Sequence, residues 1–413
     1  MTAGQEVRVW IAVALVLGFG AVPARAQAPE RTAGRTPERT ITEIAAEAQG
    51  RAERGNYPMI GLNPADVREA LAVIHTRDSD EWAAGWSGVA DRYMADAAAN
   101  LACADADRLR AWRLYYFAGW PVPSSPGKRA AYAKALDAYA QHAAALDPKL
   151  EVVRIPFEGR EIVGYLRLPP GPDRPVPLVL AISGLDSRKE TVSETYNALL
   201  PHGVGYFAVD SPGTGQAPTK ASPTADRMFS AVLDYLQTRP EIDHARIVAH
   251  GVSFGGYWAT KLAFTEHGRL LGVVAQSPPV DGALQASFLR INLLGNGEYL
   301  FDVVPAFLKV VEGAETVDKL ADEFPKLSLK AQGLIGRPTG PMLIVGGGRD
   351  TQVPISDLDL LLHTGDVPKD AWINPQGGHL GRELRGWTDP VIFRQVILPW
   401  ELRLLAGTER GPG

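Results

Sequence analysis

The sequence predicts an α/β fold: a mostly parallel sheet with helices on both faces, preceded by a helical N-terminal domain and interrupted by a helical cap insertion. Three observations carry this. Near-continuous apolar runs at 178–182, 204–209, 247–249, 271–275 and 342–345, with a weaker one at 371–374, alternate with helical patterns, as in parallel strands buried on both faces. The stretch Gly251-Val252-Ser253-Phe254-Gly255-Gly256 joins such a run to a helical segment, the context in which a tight turn lifts a serine above a sheet. Residues 39–150 are alanine-rich and helical in pattern.

In chain order, residues 1–26 read as a secretory signal peptide. Arg8 supplies a thin positive start, an apolar run follows at 9–22, and Ala24-Arg25-Ala26 gives a small-x-small cleavage pattern. The run is short for a bilayer span, so an uncleaved anchor is the lesser alternative, and the mature chain is expected to have no stable membrane insertion. Residues 27–38, rich in Arg, Pro, Ala and Thr, read as a mobile leader. In the helical domain at 39–150, Tyr132, Leu136, Tyr139, Ala140 and Ala143 fall on one helix face, and Trp112, Leu114, Tyr115, Tyr116 and Phe117 read as packing. The α/β domain spans 151–408. It opens with a β-hairpin, 152–157 and 162–168, split by Glu158-Gly159-Arg160. Met228, Phe229, Val232, Leu233 and Leu236 form the apolar stripe of a crossover helix. Residues 284–338 break the alternation and read as the cap.

Composition excludes several classes. The formal net charge of −5 is too mild for polyanion binding, and no basic patch with interleaved aromatics points to nucleic acid. A single cysteine, Cys103, rules out an internal disulfide in an exported chain. The eight histidines are scattered, with no metal-ligand spacing. No cofactor is expected.

Acyl transfer by serine needs a base, an orienting acid and an oxyanion hole. Ser253 is the candidate nucleophile. Asp350 follows the 342–345 run in Gly346-Gly347-Gly348-Arg349-Asp350, and His379 follows the 371–374 run in Gly377-Gly378-His379. Both therefore sit at strand ends, where open α/β sheets bind ligands. The order Ser253, Asp350, His379 is that of α/β-hydrolases. Asp281 is the rival acid, and His250, at the end of the elbow strand, reads as a packed or capping side chain. The oxyanion donors expected are the backbone N–H groups of Phe254 and of Leu185, with Gly184 as the alternative to Leu185.

At these residues the chain resembles the family of fermentation-respiration switch esterase-like proteins and 2,6-dihydroxypseudooxynicotine hydrolase. The resemblance rests on Gly184-Leu185-Asp186-Ser187-Arg188-Lys189-Glu190, Asp210-Ser211-Pro212-Gly213-Thr214-Gly215, the elbow, Asp350 and His379. It implies a helical domain coupled to a hydrolase domain, a Ser253–Asp350–His379 triad, and cleavage of esters or of C–C bonds beside ketones. It also implies that Glu190 is a substrate-positioning site residue; read by itself, Glu190 is an exposed acid favourable to a helix start. Ser183 departs from the family, where many members have glycine or histidine.

The sequence thus leads to an exported serine hydrolase, periplasmic or secreted, acting through an acyl-enzyme on a small-molecule carbonyl substrate. A peptidase of the prolyl-oligopeptidase type and a non-catalytic binding protein on the same fold are the alternatives, and a homodimer is left open. Mass spectrometry of the exported protein is expected to find an N-terminus at Gln27; a membrane-bound product starting at Met1 would refute the cleavage site.

Overall fold

The computed structural model describes residues 39–171 and 175–407. The segments read as signal peptide and leader lie outside the described residues. Eight strands form one sheet: β1 (Glu151–Phe157), β2 (Arg160–Arg167), β3 (Val176–Ile182), β4 (Gly205–Val209), β5 (Ile242–Val252), β6 (Gly272–Gln276), β7 (Met342–Gly347) and β8 (Asp370–Asn374). Their order across the sheet is β1-β2-β4-β3-β5-β6-β7-β8. β1 and β2 form the expected antiparallel hairpin, and β2 pairs antiparallel with β4. The remaining pairs are parallel. The hairpin turn places Glu158 and Gly159 at φ 46° and 76°, the positive values that match the twist of the flanking strands in a two-residue loop.

Among the described residues five helices precede the sheet: α1 (Ile41–Arg54), α2 (Pro64–Leu71), α3 (Ser79–Ala99), α4 (Ala104–Ala118) and α5 (Pro126–Ala143). Their starts are set by local chemistry. Thr40 and Glu43 form a capping box on α1, Asn63 caps α2 ahead of Pro64, and Asp78 and Ser125 cap α3 and α5, each satisfying amide groups the helix cannot. On α5 the buried face differs from the one expected. Ala131, Ala135, Ala138, Tyr139, His142 and Ala143 are buried, whereas Tyr132 and Leu136 are half-buried and Ala140 is exposed. The seam is made of alanines because α5 packs closely on α3 and α4, where larger side chains would hold the backbones apart.

After β3 the chain forms α6 (Lys189–Tyr196), after β4 α7 (Arg227–Leu236), and after β5 α8 (Phe254–Thr265). The expected stripe of α7 is fully buried. Between β6 and β7 lie short helical pieces, including Val303–Val310 and Val317–Glu323, within the segment read as a cap. The aromatics of the helical layer, the sheet residues and this segment belong to one continuous core.

The contact between helical layer and inserted segment is polar as well as apolar. Arg39 and Arg51 donate to carbonyls of Gly297, Glu298, Tyr299 and Leu300, and Trp82 packs against Phe301 with ring centroids 4.4 Å apart. Lys128, fully buried, donates to the Trp120 carbonyl at 2.8 Å and to Asp302 at 2.5 Å. A buried cation and its carboxylate depend on each other, since either alone keeps its desolvation cost without its partner. Lys128→Ala is therefore expected to lower unfolding free energy by about 3 kcal/mol, read as a fall in the urea midpoint at unchanged slope.

Candidate active site

The loop ends of β3, β5, β7 and β8 meet above the sheet. Ser253 lies between β5 and α8 with φ 53° and ψ −117°, a conformation that costs a non-glycine residue on the order of 1–3 kcal/mol. The surrounding close approach explains the glycines. A Cβ on Gly251 would lie 2.0 Å from the Gly255 carbonyl oxygen, and one on Gly255 would lie 2.5 Å from the carbonyl oxygens of Ile182 and Ser183. Only bare backbone permits strand and helix to meet there. The Ser253 N–H donates to the Gln276 carbonyl at 2.8 Å, tying the turn to β6.

His379 Nε2 stands 2.8 Å from Ser253 Oγ, and its Nδ1 stands 2.8 Å from Asp350 Oδ2. Because the carboxylate only accepts, Nδ1–H is the donor, and Nε2 is left to accept from the serine hydroxyl. Asp350 is fixed in turn: its Oδ1 accepts the N–H groups of Gln352 and Val353 at 2.8 and 2.9 Å. Burial opposes ionisation of both partners, yet each other's charge wins. His379 is raised above the ordinary imidazole value, because the Asp350 charge and hydrogen bond outweigh the loss of solvent. Asp350 is lowered, as His379 and the two backbone donors outweigh burial. The histidine loop is pinned from β6: Ser277 Oγ accepts the Leu380 N–H at 3.0 Å, and Gln276 donates to the Leu380 carbonyl at 3.0 Å.

The two residues expected to supply oxyanion donors share a pocket with the serine. Leu185 and Phe254 both line the pocket that contains Ser253. The Gly184 N–H donates to Ser187 Oγ at 2.6 Å. The pocket encloses about 350 Å³ of empty space, part of it open to solvent. Its walls are apolar, with Leu293, Phe307, Phe324 and Val353 prominent, and Tyr299 and Gln352 add polar groups.

Glu190 is neither exposed nor on this lining. It is 1% exposed, accepts from Lys189 Nζ at 2.6 Å and from Tyr165 Oη at 3.0 Å, and starts α6 from inside the protein. Lys189 bridges to Asp210 at 3.3 Å, and Asp210 takes the backbone N–H groups of Lys189 and Gln216. The cluster fastens the β3–α6 loop to the loop after β4. Its signal in sequence was the Lys189-Glu190 pair and Asp210, but pairing across loops has no periodicity to read. The rival groups lie elsewhere. Asp281 accepts from Ser328 Oγ at 2.6 Å. His250 is buried beside Tyr196 and Glu401, and burial drives its pKa down to about 3.

Sequence reasoning missed Tyr299, Gln352 and Asp357. Asp357 accepts four successive N–H groups, from Val280 to Ala283, at 2.6 to 3.2 Å, and so shapes the pocket wall that includes Ala283. Among the described residues no group of three or more His, Cys, Asp or Glu could hold a metal ion, and no helix is long and apolar enough to cross a membrane.

A serine on a strained strand-to-helix turn, with acid and histidine on later strand ends of a mostly parallel sheet, is the arrangement of the α/β-hydrolase fold. The chain belongs to the Esterase FrsA-like family, whose model matches residues 67–370. It is 32% identical over 262 residues to Esterase FrsA of Serratia proteamaculans (strain 568), covering 62% of this chain and 61% of that one. With Esterase FrsA of Salmonella paratyphi B (strain ATCC BAA-1250 / SPB7) it is 31% identical over 310 residues, 71% of this chain and 73% of that one. The first of these matches thus spans about three fifths of its relative's length. Among solved structures, 2,6-dihydroxy-pseudo-oxynicotine hydrolase has a TM-score of 0.70 at 21% identity, covering 90% of this chain and 98% of that chain. Wild-type AbyA5 has a TM-score of 0.68 at 20% identity, covering 90% and 96%. These two likenesses show the shared fold.

The histidine's ionisation can be measured directly. An NMR titration of His379 is expected to give a pKa above the ordinary imidazole value in the intact protein. In Asp350→Asn, burial and the Arg382 charge outweigh the remaining pull of Glu298, and the value should drop below it; an unchanged value would deny the coupling.

Proposed function

We propose that this protein is an exported serine hydrolase that cleaves carboxylic esters through an acyl-enzyme. The single observation that carries the reading is the hydrogen-bond chain Ser253–His379–Asp350, with 2.8 Å at each link. Ser253 Oγ attacks the ester carbonyl carbon while His379 Nε2 takes its proton. The oxyanion that forms faces the N–H groups of Leu185 and Phe254, donors that bind developing charge better than a neutral carbonyl. His379 returns the proton to the departing alkoxide, and an acyl-serine remains. Water then attacks, with His379 again taking a proton, which it returns to Ser253 Oγ as the acid leaves. Asp350 stays ionised and holds the imidazole in the tautomer that step needs.

The apolar pocket supports an uncharged acyl group, since a buried charge without a partner is costly. The relatives named esterases support the ester class. Hydrolysis of a ketone-adjacent C–C bond would form the same acyl-enzyme but must also protonate carbon. Glu190, the acid considered for that task, is committed to Lys189 and Tyr165, which favours the ester. Export rests on the N-terminal sequence alone.

The test is turnover of p-nitrophenyl butanoate together with active-site labelling. A fluorophosphonate is expected to modify Ser253, and Ser253→Ala to lose kcat by about 10⁶-fold. Asp350→Asn should lose about 10⁴-fold. In the intact enzyme kcat/KM should rise with pH through the raised His379 pKa, since only neutral imidazole accepts the serine proton. Near-normal turnover by Ser253→Ala would end the proposal.

A further inference from the structure

The insertion between β6 and β7 also holds the loop that carries Asp350. Glu298 Oε1 accepts from Thr351 Oγ1 at 3.0 Å, and its Oε2 accepts from Gln352 Nε2 at 3.0 Å. Asn296 joins the same contact. Its Nδ2 donates to Thr351 Oγ1 at 3.1 Å, and its Oδ1 accepts the Glu298 N–H at 2.9 Å. One carboxylate thus engages the two residues that directly follow the triad acid. Gln352 ties the contact to that acid: it is buried and lines the pocket of Ser253, and its N–H is one of the two that Asp350 Oδ1 accepts. The backbone of Gln352 holds Asp350 while its side chain is held by Glu298.

Glu298 is itself anchored. Its carbonyl accepts from Arg51 Nη1 of α1 at 2.8 Å. Its Oε2 stands 3.8 Å from Nη2 of Arg382, three residues after His379, and Arg382 is fixed in turn by Asp389 at 3.1 Å and by the Tyr57 ring at 4.0 Å. The carboxylate therefore meets both the acid loop and the histidine loop, whose separation sets the Asp350–His379 contact.

We propose that Glu298 is a positioning residue for the triad: through Thr351 and Gln352 it keeps the Asp350 carboxylate on His379 Nδ1. The proposal rests on the assignment of Ser253, His379 and Asp350. Directed acceptance, rather than charge, is what Glu298 contributes. Its side chain is 31% exposed, so solvent screens its field, while two hydrogen bonds of fixed direction remain. Without them Asp350 keeps its backbone donors, but the loop that bears acid and donors together is free to shift. A displacement of about 1 Å at a reacting group can cost about 100-fold in rate, so a smaller shift is enough to be measured.

The test is turnover of p-nitrophenyl butanoate by Glu298→Ala and Glu298→Gln, each made in the intact protein and in Asp350→Ala. In the intact protein Glu298→Ala should lower kcat about tenfold with KM within about twofold, and should slow fluorophosphonate labelling of Ser253 to the same extent. Glu298→Gln should stay within about threefold of the intact rate, because an amide there accepts from Thr351 and donates to Gln352 Oε1 once that carboxamide turns over. In Asp350→Ala, Glu298→Ala should change kcat by less than about twofold, since a residue acting through Asp350 then has nothing to position. A purely structural role would give the same loss in both backgrounds. If circular dichroism shows Glu298→Ala unfolded, Thr351→Val removes one of the two hydrogen bonds and should lower kcat about threefold in the intact protein and not in Asp350→Ala. An unchanged kcat, a change in KM alone, an equal loss in both backgrounds, or a Glu298→Gln as slow as Glu298→Ala would overturn the assignment. Failure of the parent reading would look different: no fluorophosphonate adduct on Ser253 and no turnover by the intact protein.

Discussion

His379 is held at both ring nitrogens by residues from two other strand ends, and the rest of the site is arranged to keep that possible. One nitrogen needs an acceptor that stays ionised in a buried place, which Asp350 supplies because two backbone N–H groups and the imidazole itself share its charge. The other needs a hydroxyl at hydrogen-bond distance, which Ser253 supplies only from a strained turn. Each contact is short-ranged, so small shifts in any of the three loops would break the chain. This sets a demand for rigidity on backbone far from the reacting atoms.

The sheet answers that demand through β6, which bears none of Ser253, Asp350 and His379. Its last residue, Gln276, accepts from the Ser253 N–H and donates to the Leu380 carbonyl, while Ser277 holds the Leu380 N–H. Elbow and histidine loop are thereby referenced to one strand. Behind the β3–α6 loop, the buried Lys189–Glu190–Asp210 cluster does the same for α6 and the β4 loop. Such a cluster contributes little net stability against a well-packed apolar substitute, but it fixes one arrangement of loops.

The pocket is closed by chain from two distant places. Tyr299 and its neighbours reach it from the insertion between β6 and β7, and they are gripped by Arg39, Arg51 and Lys128 of the helical layer. The helical layer therefore acts on the site through this wall as well as through Tyr116 at the β3–α6 loop. A change in the packing of α1–α5 would be felt at the pocket without touching Ser253.

Much of this was legible in the sequence. Parallel strands announce themselves as short apolar runs because both faces are covered, and the elbow glycines announce themselves because only bare backbone fits where β5 meets α8. The positions of Ser253, Asp350 and His379 after such runs followed from where an open sheet leaves room for a ligand. Burial on α5 was read slightly wrong, since helical period alone does not say that a close helix contact will prefer alanine over tyrosine. What the tertiary structure decided was everything that depends on which loops become neighbours. Glu190, read by itself as a surface acid, is instead buried and paired with its own neighbour in sequence. Glu298, Tyr299 and Asp357 gained their places through contacts between segments far apart in the chain. Local sequence carries turn, strand and helix because those are set by neighbouring residues. It carries no record of which buried oxygen finds a partner and which does not, because that is settled only when distant loops share one small volume.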